Sequence, residues 1–168
     1  MRKPTEGGFC YAKVQASQKR EKRFWYALPV ASITIVKIVH YTSVLIDKLR
    51  KIENEKTRVL DGLYESGVSF GISIFTLHEI LQGAKSEKEF YRLQEYFSTQ
   101  KIFSLPNTPD VFAKSAKMYF DLRREGTTIR NTIDVLIAYT AIYYDLPLLH
   151  NDSDFDFMAK RFLDMKIV

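Results

Sequence analysis

Short apolar segments alternate with helical patterns along this chain, and no other feature constrains its fold as strongly. Five segments are rich in aliphatic and β-branched residues and are predicted strands: 33–39, 68–74, 101–105, 146–150 and 165–168. Apolar residues recur at helical spacing in 43–50, 56–66, 87–100, 110–125, 132–144 and 155–162, and a further helix is predicted from Thr76 to a stop at Gly83. Thr132 is the predicted cap of the helix 132–144, and Gly126 is the predicted end of the helix 110–125. The strands are apolar rather than alternating, which is typical of a sheet buried on both faces. The pattern predicts an α/β domain with a mainly parallel sheet of about five strands.

Acidic residues lie just after two of these strands and in the first turn of the helix 132–144, in segments that otherwise have a core composition. They are Glu79, Asp134, Asp152 and Asp154. Taken singly, each is explained as a partner of a helix N-terminus, which contributes about 0.3–1 kcal/mol. Taken together, they belong to strand ends that a parallel sheet brings to one edge, where ligands collect in such folds.

Carboxylates gathered at one edge predict a metal-dependent chemistry. They raise one another's pKa and repel unless a cation neutralises them. Ligation by oxygen alone selects a hard ion, Mg²⁺ or alternatively Mn²⁺. Such an ion activates water and stabilises charge on a phosphoryl group, so hydrolysis of a phosphodiester is the predicted reaction.

Other catalytic motifs are missing from the sequence. It contains no Gly-rich phosphate loop, no G-x-S-x-G nucleophile elbow and no H-E-x-x-H. The single cysteine, Cys10, excludes an internal disulfide framework and a multi-cysteine zinc site. The three histidines lack metal-ligand spacing with one another, and we expect structural or peripheral positions for them.

Basic residues are concentrated at the start of the chain. The 168 residues include 25 Lys and Arg and 20 Asp and Glu, and residues 1–30 contain seven basic and two acidic residues, so residues 31–168 are neutral. We predict a basic extension of unknown role in residues 1–30, either a loosely ordered tail, a misassigned translation start or a nucleic-acid arm, before a domain in 31–168. The apolar stretch 24–36 is followed by Lys37 before about 18 apolar residues accumulate, and no signal cleavage site follows. We therefore expect a cytoplasmic protein without a membrane span.

Four segments carry a resemblance to a known family. They are 39–47 (VHYTSVLID), 74–84 (IFTLHEILQGA), 133–138 (IDVLIA) and 146–155 (LPLLHNDSDF). In this order and approximate spacing they resemble the PIN-domain ribonucleases, specifically the VapC toxins of type II toxin-antitoxin systems. The similarity covers roughly residues 35–168.

The resemblance implies a three-layer α/β/α sandwich and a Mg²⁺-dependent endoribonuclease whose site a cognate antitoxin occludes. It makes Glu79, Asp134 and Asp152 the catalytic acids and metal ligands, with Asp154 as an auxiliary ligand. It also implies an RNA substrate and a homodimer formed through the helical segments 56–66 and 87–100.

The first motif departs from the family pattern. Family members usually have Asp-Thr-Ser at the end of the first strand, where this chain has Tyr41, Thr42 and Ser43. A phenol with a pKa of about 10 is neutral at pH 7 and cannot supply a carboxylate's charge to a hard cation. We therefore expect a weakened or inactive nuclease, and the alternative is a non-catalytic PIN-like module that binds antitoxin or RNA without cleavage.

Three polar residues are candidates for supporting roles. Thr42 and Ser43 are expected to orient a metal ligand or the attacking water, or else to cap the following helix. Arg130, four residues before Asp134, is expected to hold a phosphate, or else to be a solvated loop residue.

Overall fold

The central sheet is parallel and has four strands in the described part of the chain. A computed structural model describes residues 38–40 and 42–168, with side chains from Ser43 onward. The strand order is β3-β2-β1-β4, where β1 is Ile38–His40, β2 is Phe70–Ser73, β3 is Lys101–Phe103 and β4 is Leu148–Leu149. The register pairs Val39 of β1 with Gly71 on one side and with Leu148 on the other. Parallel pairing throughout places the carboxyl ends of all four strands at one edge.

The predicted fifth strand, 165–168, is not confirmed. Among the described residues it is reduced to an isolated parallel bridge between Leu148 and Ile167. A turn closed by the Met165 amide and the Phe162 carbonyl, 2.9 Å apart, leaves only the residues after it to pair with β4. The described sheet therefore has four strands and this bridge, where about five strands were predicted.

Seven helices connect and follow these strands within the described residues. They are α1 (Thr42–Leu49), α2 (Glu55–Glu65), α3 (Ile74–Gln82), α4 (Glu87–Phe97), α5 (Pro109–Arg124), α6 (Thr132–Tyr143) and α7 (Ser153–Arg161). The residue just before each helix from α2 to α7 caps it, because its side chain accepts a hydrogen bond from a backbone amide of the helix's first turn. These residues are, in order, Asn54, Ser73, Ser86, Thr108, Asn131 and Asp152. Such caps satisfy amide groups that the helix itself leaves unpaired.

Two capping residues were predicted wrongly. Ser43 lies inside the first turn of α1 and not before it. Asn131, rather than Thr132, caps α6, because its Oδ1 accepts from the Ile133 amide at 3.0 Å. An asparagine before a serine or threonine offers an equally good cap, so composition alone did not separate the two.

Two apolar clusters cover the two faces of the sheet, which gives the three predicted layers. The neighbouring residues Leu148 and Leu149 of β4 belong to different clusters, as expected of successive strand residues. Leu148 packs with buried residues of α5, α6 and α7, and Leu149 packs with those of α1, α2, α3 and α4. The α/β/α sandwich is therefore confirmed.

The described helices include none that is both long and apolar enough to cross a membrane. The predicted extension, residues 1–30, and Tyr41 lie outside the described residues. The division of the chain near residue 30 stays a prediction.

Candidate active site

Glu79 is placed at the carboxyl edge of the sheet by the transition from β2 to α3. Ser73, the last residue of β2, is buried and accepts from the Phe75 amide at 3.2 Å, so α3 begins directly at the strand end. Glu79 lies in the second turn of α3, half-buried. Its Oε1 accepts a hydrogen bond of 2.9 Å from Nδ2 of Asn131. This bond ties α3 to the loop that precedes α6.

Asp134 lies in the first turn of α6, a helix that is apolar almost all round. Its neighbours Val135, Ile137 and Ala138 are buried in the core, and only 3% of Asp134 is exposed. A carboxylate in this position is stabilised by the amide groups of the helix N-terminus. The helix thus carries a negative charge to the edge where β1, β2 and β4 end.

Asp152 and Asp154 follow β4 and share the side chain of Arg130. Nη2 of Arg130 lies 3.1 Å from Oδ1 and 3.4 Å from Oδ2 of Asp152, and Nε lies 3.4 Å from Oδ2 of Asp154. The Arg130 backbone amide also donates to Oδ2 of Asp154, at 3.3 Å. Asp152 caps α7 by accepting from the Asp154 amide at 3.0 Å. The two aspartates are therefore held both by the turn that begins α7 and by Arg130.

One guanidinium lies within electrostatic range of three carboxylates. The pKa of Arg130 is raised, first by the hydrogen bond to Asp154, then by the charges of Asp154 and Asp152, and also by the charge of Asp134. An opposite charge nearby favours the charged form of a group. Arg130 therefore acts as a counter-ion for this part of the edge.

His150 directly follows β4 and is buried. Its Nδ1 lies 3.0 Å from the Asp152 carbonyl oxygen, and 3% of the residue is exposed. Burial lowers the pKa of its imidazole, which opposes a positive charge on the ring. His78, by contrast, is exposed on α3.

An open cleft of about 450 Å³ lies beside Glu79. Residues of α1, α3 and the start of α6 line it: Ser43, Ile46, Glu79, Gln82, Gly83, Asn131 and Ile133. The Ser43 hydroxyl is buried and has no hydrogen-bond partner within the described residues. The cleft is open to solvent beside Glu79, and its wall is partly apolar.

The donors suit a divalent cation in chemistry, although they are not assembled into a cluster. No three Asp, Glu, His or Cys side chains lie close enough to hold a metal ion in the part of the chain that is described. Carboxylate oxygens are nevertheless the ligands that a hard cation prefers, and Asp152 and Asp154 already share one positive charge. The ligand roles predicted for these residues and for Glu79 and Asp134 stay predictions, as do those of Thr42 and Ser43.

Asn131 is the site residue that sequence reasoning missed. It caps α6 through Oδ1 and holds Glu79 through Nδ2. The signal was available in part, because asparagine is among the strongest helix-capping residues. Its contact with Glu79 spans 52 positions of the chain, and no local pattern predicts such a contact.

A family model and two curated relatives match this chain. The model of the PIN domain matches residues 41–161. VapC ribonuclease Mb1587 of Mycobacterium bovis and ribonuclease VapC11 of Mycobacterium tuberculosis are each 33% identical over 82 residues, or 49% of this chain. The chain spans 60% of the length of each of these relatives.

Solved structures with the same fold include two DNA-bound complexes. One is VapBC2 from Rickettsia felis bound to a DNA fragment from their promoter, with a TM-score of 0.59, 20% identity, and coverage of 79% of this chain and 98% of that chain. The other is DNA-bound VapBC from Salmonella typhimurium, with a TM-score of 0.59, 22% identity, and coverage of 80% and 98%. At these identities the likeness establishes the fold.

Proposed function

The chain belongs to the PIN domain family, and from that membership we propose that it is a VapC-like endoribonuclease toxin, dependent on Mg²⁺, that hydrolyses phosphodiester bonds in RNA. The two ribonuclease relatives support the reaction class. One structural observation carries the proposal furthest. The adjacent residues Arg130 and Asn131 tie Glu79 to Asp152 and Asp154 at the edge where the buried Asp134 also lies.

The proposed roles follow from where each acid is held. Glu79, Asp134 and Asp152 are the proposed metal ligands and catalytic acids, with Asp154 as an auxiliary ligand. Mg²⁺, or alternatively Mn²⁺, would supply a water of lowered pKa and positive charge for the phosphoryl oxygens. Asp134, anchored in the buried helix α6, gives the site a carboxylate with little freedom to move.

The cleft beside Glu79 is the proposed entry for RNA. Ser43 lines the cleft, and we assign to its hydroxyl the orientation of a ligand or of the attacking water. The apolar wall of the cleft, formed by Ile46 and Ile133, suits the flat face of a base. A cleft of about 450 Å³ is large enough for part of a nucleotide chain but does not bury it.

Tyr41 weakens the proposed activity. It takes the position of the acid that the family usually has at the end of the first strand, and a neutral phenol does not replace a carboxylate as a ligand of a hard cation. Changes around a metal ligand typically cost 10- to 100-fold in affinity or activity, and loss of a ligand costs more.

The test is to compare Mg²⁺-dependent RNA cleavage by the natural chain and by Tyr41→Asp. We expect Tyr41→Asp to cleave more than about 100-fold faster. Tyr41→Phe is the matched control, because it removes only the hydroxyl, keeps the aromatic ring and adds no charge. It should cleave as slowly as the natural chain. Equally fast, metal-dependent cleavage by all three proteins would contradict the role assigned to Tyr41.

The second candidate function is a non-catalytic PIN-like module that binds antitoxin or RNA without cleavage. Tyr41 favours it, whereas the acids held by Arg130 and Asn131 favour the nuclease. Calorimetry separates the two. A folded Tyr41→Asp variant that binds neither Mg²⁺ nor Mn²⁺ at millimolar concentration supports the binding module.

We also propose a cognate antitoxin as partner and a cytoplasmic homodimer. Solved structures of the same fold include a member of the VapBC family of toxin-antitoxin systems and a toxin-antitoxin complex. A small DNA-binding protein encoded in the adjacent reading frame would support the antitoxin. Light scattering tests the homodimer, for which α2 and α4 are the proposed contacts, and a monomer at micromolar concentration would contradict it.

The basic extension is tested separately by deletion of residues 1–30. If RNA binding survives the deletion, the excess positive charge of the chain is incidental to that binding.

A further inference from the structure

We propose that Arg130 is an internal counter-ion of the metal site, which holds Asp152 and Asp154 when no metal is bound and which a divalent cation must displace. The inference rests on the proposed function, because it assigns Asp152 and Asp154 to a metal site. It adds a competition between a side chain of this chain and the metal for the same oxygen atoms.

The first step is that these carboxylates need a positive charge. The side chain of Asp154 is 8% exposed and that of Asp152 is 24% exposed, so water solvates both only in part. Asp134, 3% exposed, adds a third negative charge within range of the same guanidinium. Buried like charges are costly unless a cation neutralises them. Among the described residues, Arg130 is the cation that contacts Asp152 and Asp154.

The second step is that Arg130 is bound loosely enough to leave. Its side chain is 72% exposed, so the guanidinium is free to turn towards solvent. Its contacts with the two carboxylates measure 3.1–3.4 Å, longer than the roughly 2.7–2.9 Å of strong charge-assisted hydrogen bonds. Arg161 gives a comparison within the same chain, because its Nε binds Glu125 at 2.7 and 2.9 Å.

The third step is that the two carboxylates keep their positions when the guanidinium leaves. The Arg130 backbone amide donates to Oδ2 of Asp154, and the Asp154 amide donates to Oδ1 of Asp152. Neither bond involves the Arg130 side chain. Departure of the guanidinium therefore exposes ligand oxygens that backbone groups still orient.

The atoms contacted by Arg130 are the ones a metal would use. Both oxygens of Asp152 and one oxygen of Asp154 accept from the guanidinium. A cation at these oxygens competes with the guanidinium for their lone pairs and repels its positive charge, so the two do not share the site. The ion pairing of Arg130 with the two aspartates thus raises the metal concentration at which the site fills. Below that concentration it keeps the two side chains in place.

The closing experiment measures Mn²⁺ affinity by calorimetry on the full chain, in the natural sequence and in the Tyr41→Asp background. We expect Arg130→Gln to tighten the apparent Kd for Mn²⁺ by about ten-fold or more, a change of the size produced by groups next to metal ligands. Arg161→Gln is the matched control, because it also removes an exposed arginine paired with a carboxylate, and its Kd should not change.

A second measurement needs no change at Arg130. In the ¹⁵N spectrum of the metal-binding background, titration with Mg²⁺ should move the Arg130 Nε–H signal towards that of a solvated guanidinium, while the Arg161 signal stays in place. This measurement decides the matter if Arg130→Gln does not fold.

The outcomes separate this inference from the proposed function. Tighter Mn²⁺ binding by Arg130→Gln, with a Mg²⁺-dependent Arg130 signal, supports the counter-ion. Metal binding that is unchanged or weaker in Arg130→Gln, or an Arg130 signal that ignores Mg²⁺, overturns the inference and leaves the metal-dependent nuclease standing. If no folded variant binds metal in either background, the proposed function fails and the competition fails with it.

Discussion

Glu79 and the pair Asp152 and Asp154 are held by adjacent residues of one loop but by opposite chemistry. Asn131 holds Glu79 with a neutral amide, whereas Arg130 holds the two aspartates with a guanidinium. An amide orients a carboxylate and leaves its charge in place. A guanidinium orients the carboxylates and also cancels charge.

The difference bears on the proposed metal site. On the Glu79 side, Asn131 brings no positive charge, so a metal would meet a carboxylate whose charge Asn131 leaves in place. On the Asp152 and Asp154 side, a metal would replace the positive charge of Arg130. The loop therefore orients carboxylates in both halves, and under the proposed counter-ion role only the Asp152 and Asp154 half would resist a metal.

The largest expected effect comes from removing the charge of Glu79, the carboxylate that Asn131 holds. In the Tyr41→Asp background, Glu79→Gln should lower Mg²⁺-dependent RNA cleavage by more than about 100-fold, because it removes a proposed metal ligand. The free energy of unfolding without metal should change by less than about 0.5 kcal/mol, because Oε1 of the new glutamine still accepts from Asn131.

Thermal melting in the presence of EDTA provides the control for Glu79→Gln. A large loss of stability in that condition would mean that the Glu79 charge, and not its hydrogen bond, holds α3 to the loop. Asn131 and Arg130 would then not differ in the way proposed, because charge would be needed to hold the carboxylate in both cases.

A smaller effect is expected at Asn131, where two substitutions separate the cap from the contact with Glu79. Asn131→Ala removes both and should lower the free energy of unfolding by about 1 kcal/mol through the lost cap. Asn131→Asp keeps an oxygen that caps α6 but places a second carboxylate against Glu79. We expect it to melt below the natural chain without metal, because the two carboxylates repel where a hydrogen bond stood, and to lower cleavage by about 10- to 100-fold in the Tyr41→Asp background.

The measurements are a melting curve and a cleavage rate for each variant. Full cleavage by Asn131→Asp would show that Asn131 is only a helix cap. The neutral anchor of Glu79 would then have no role in positioning.

Much of the fold could be predicted because it follows from local patterns. The seven helices lie close to their predicted ranges, and Gly126, at a positive φ of 83°, follows α5 where a stop was predicted. Strand bounds were less predictable. Residues 146–150 yield a strand of only two residues, Leu148–Leu149, because pairing with β1 and not apolar composition sets its length.

The position of the predicted acids near one edge of the sheet followed from topology, whereas the residues that hold them could not be predicted. Glu79 and Asp152 stand at strand ends that a parallel sheet brings together, so topology alone places them at one edge. The partners of Arg130 lie 22 and 24 positions away, and its predicted phosphate role gave no sign of these contacts. Contacts of this kind depend on how two loops pack, which the periodicity of neither loop encodes.

The smallest expected effect is a difference in salt sensitivity between the two anchors. The Debye length falls from about 10 Å at 0.1 M salt to about 3 Å at 1 M. This screening weakens exposed ion pairs most. Arg130 is 72% exposed, so its pairing with Asp152 and Asp154 should weaken in 1 M NaCl, whereas the neutral Asn131 donor should keep its bond to Glu79. In metal-free protein, the ¹⁵N signal of Arg130 Nε should therefore move with salt and that of Asn131 Nδ2 should not. Equal movement of both signals would mean that the loop shifts as a unit, in which case the two halves of the edge are not independently held.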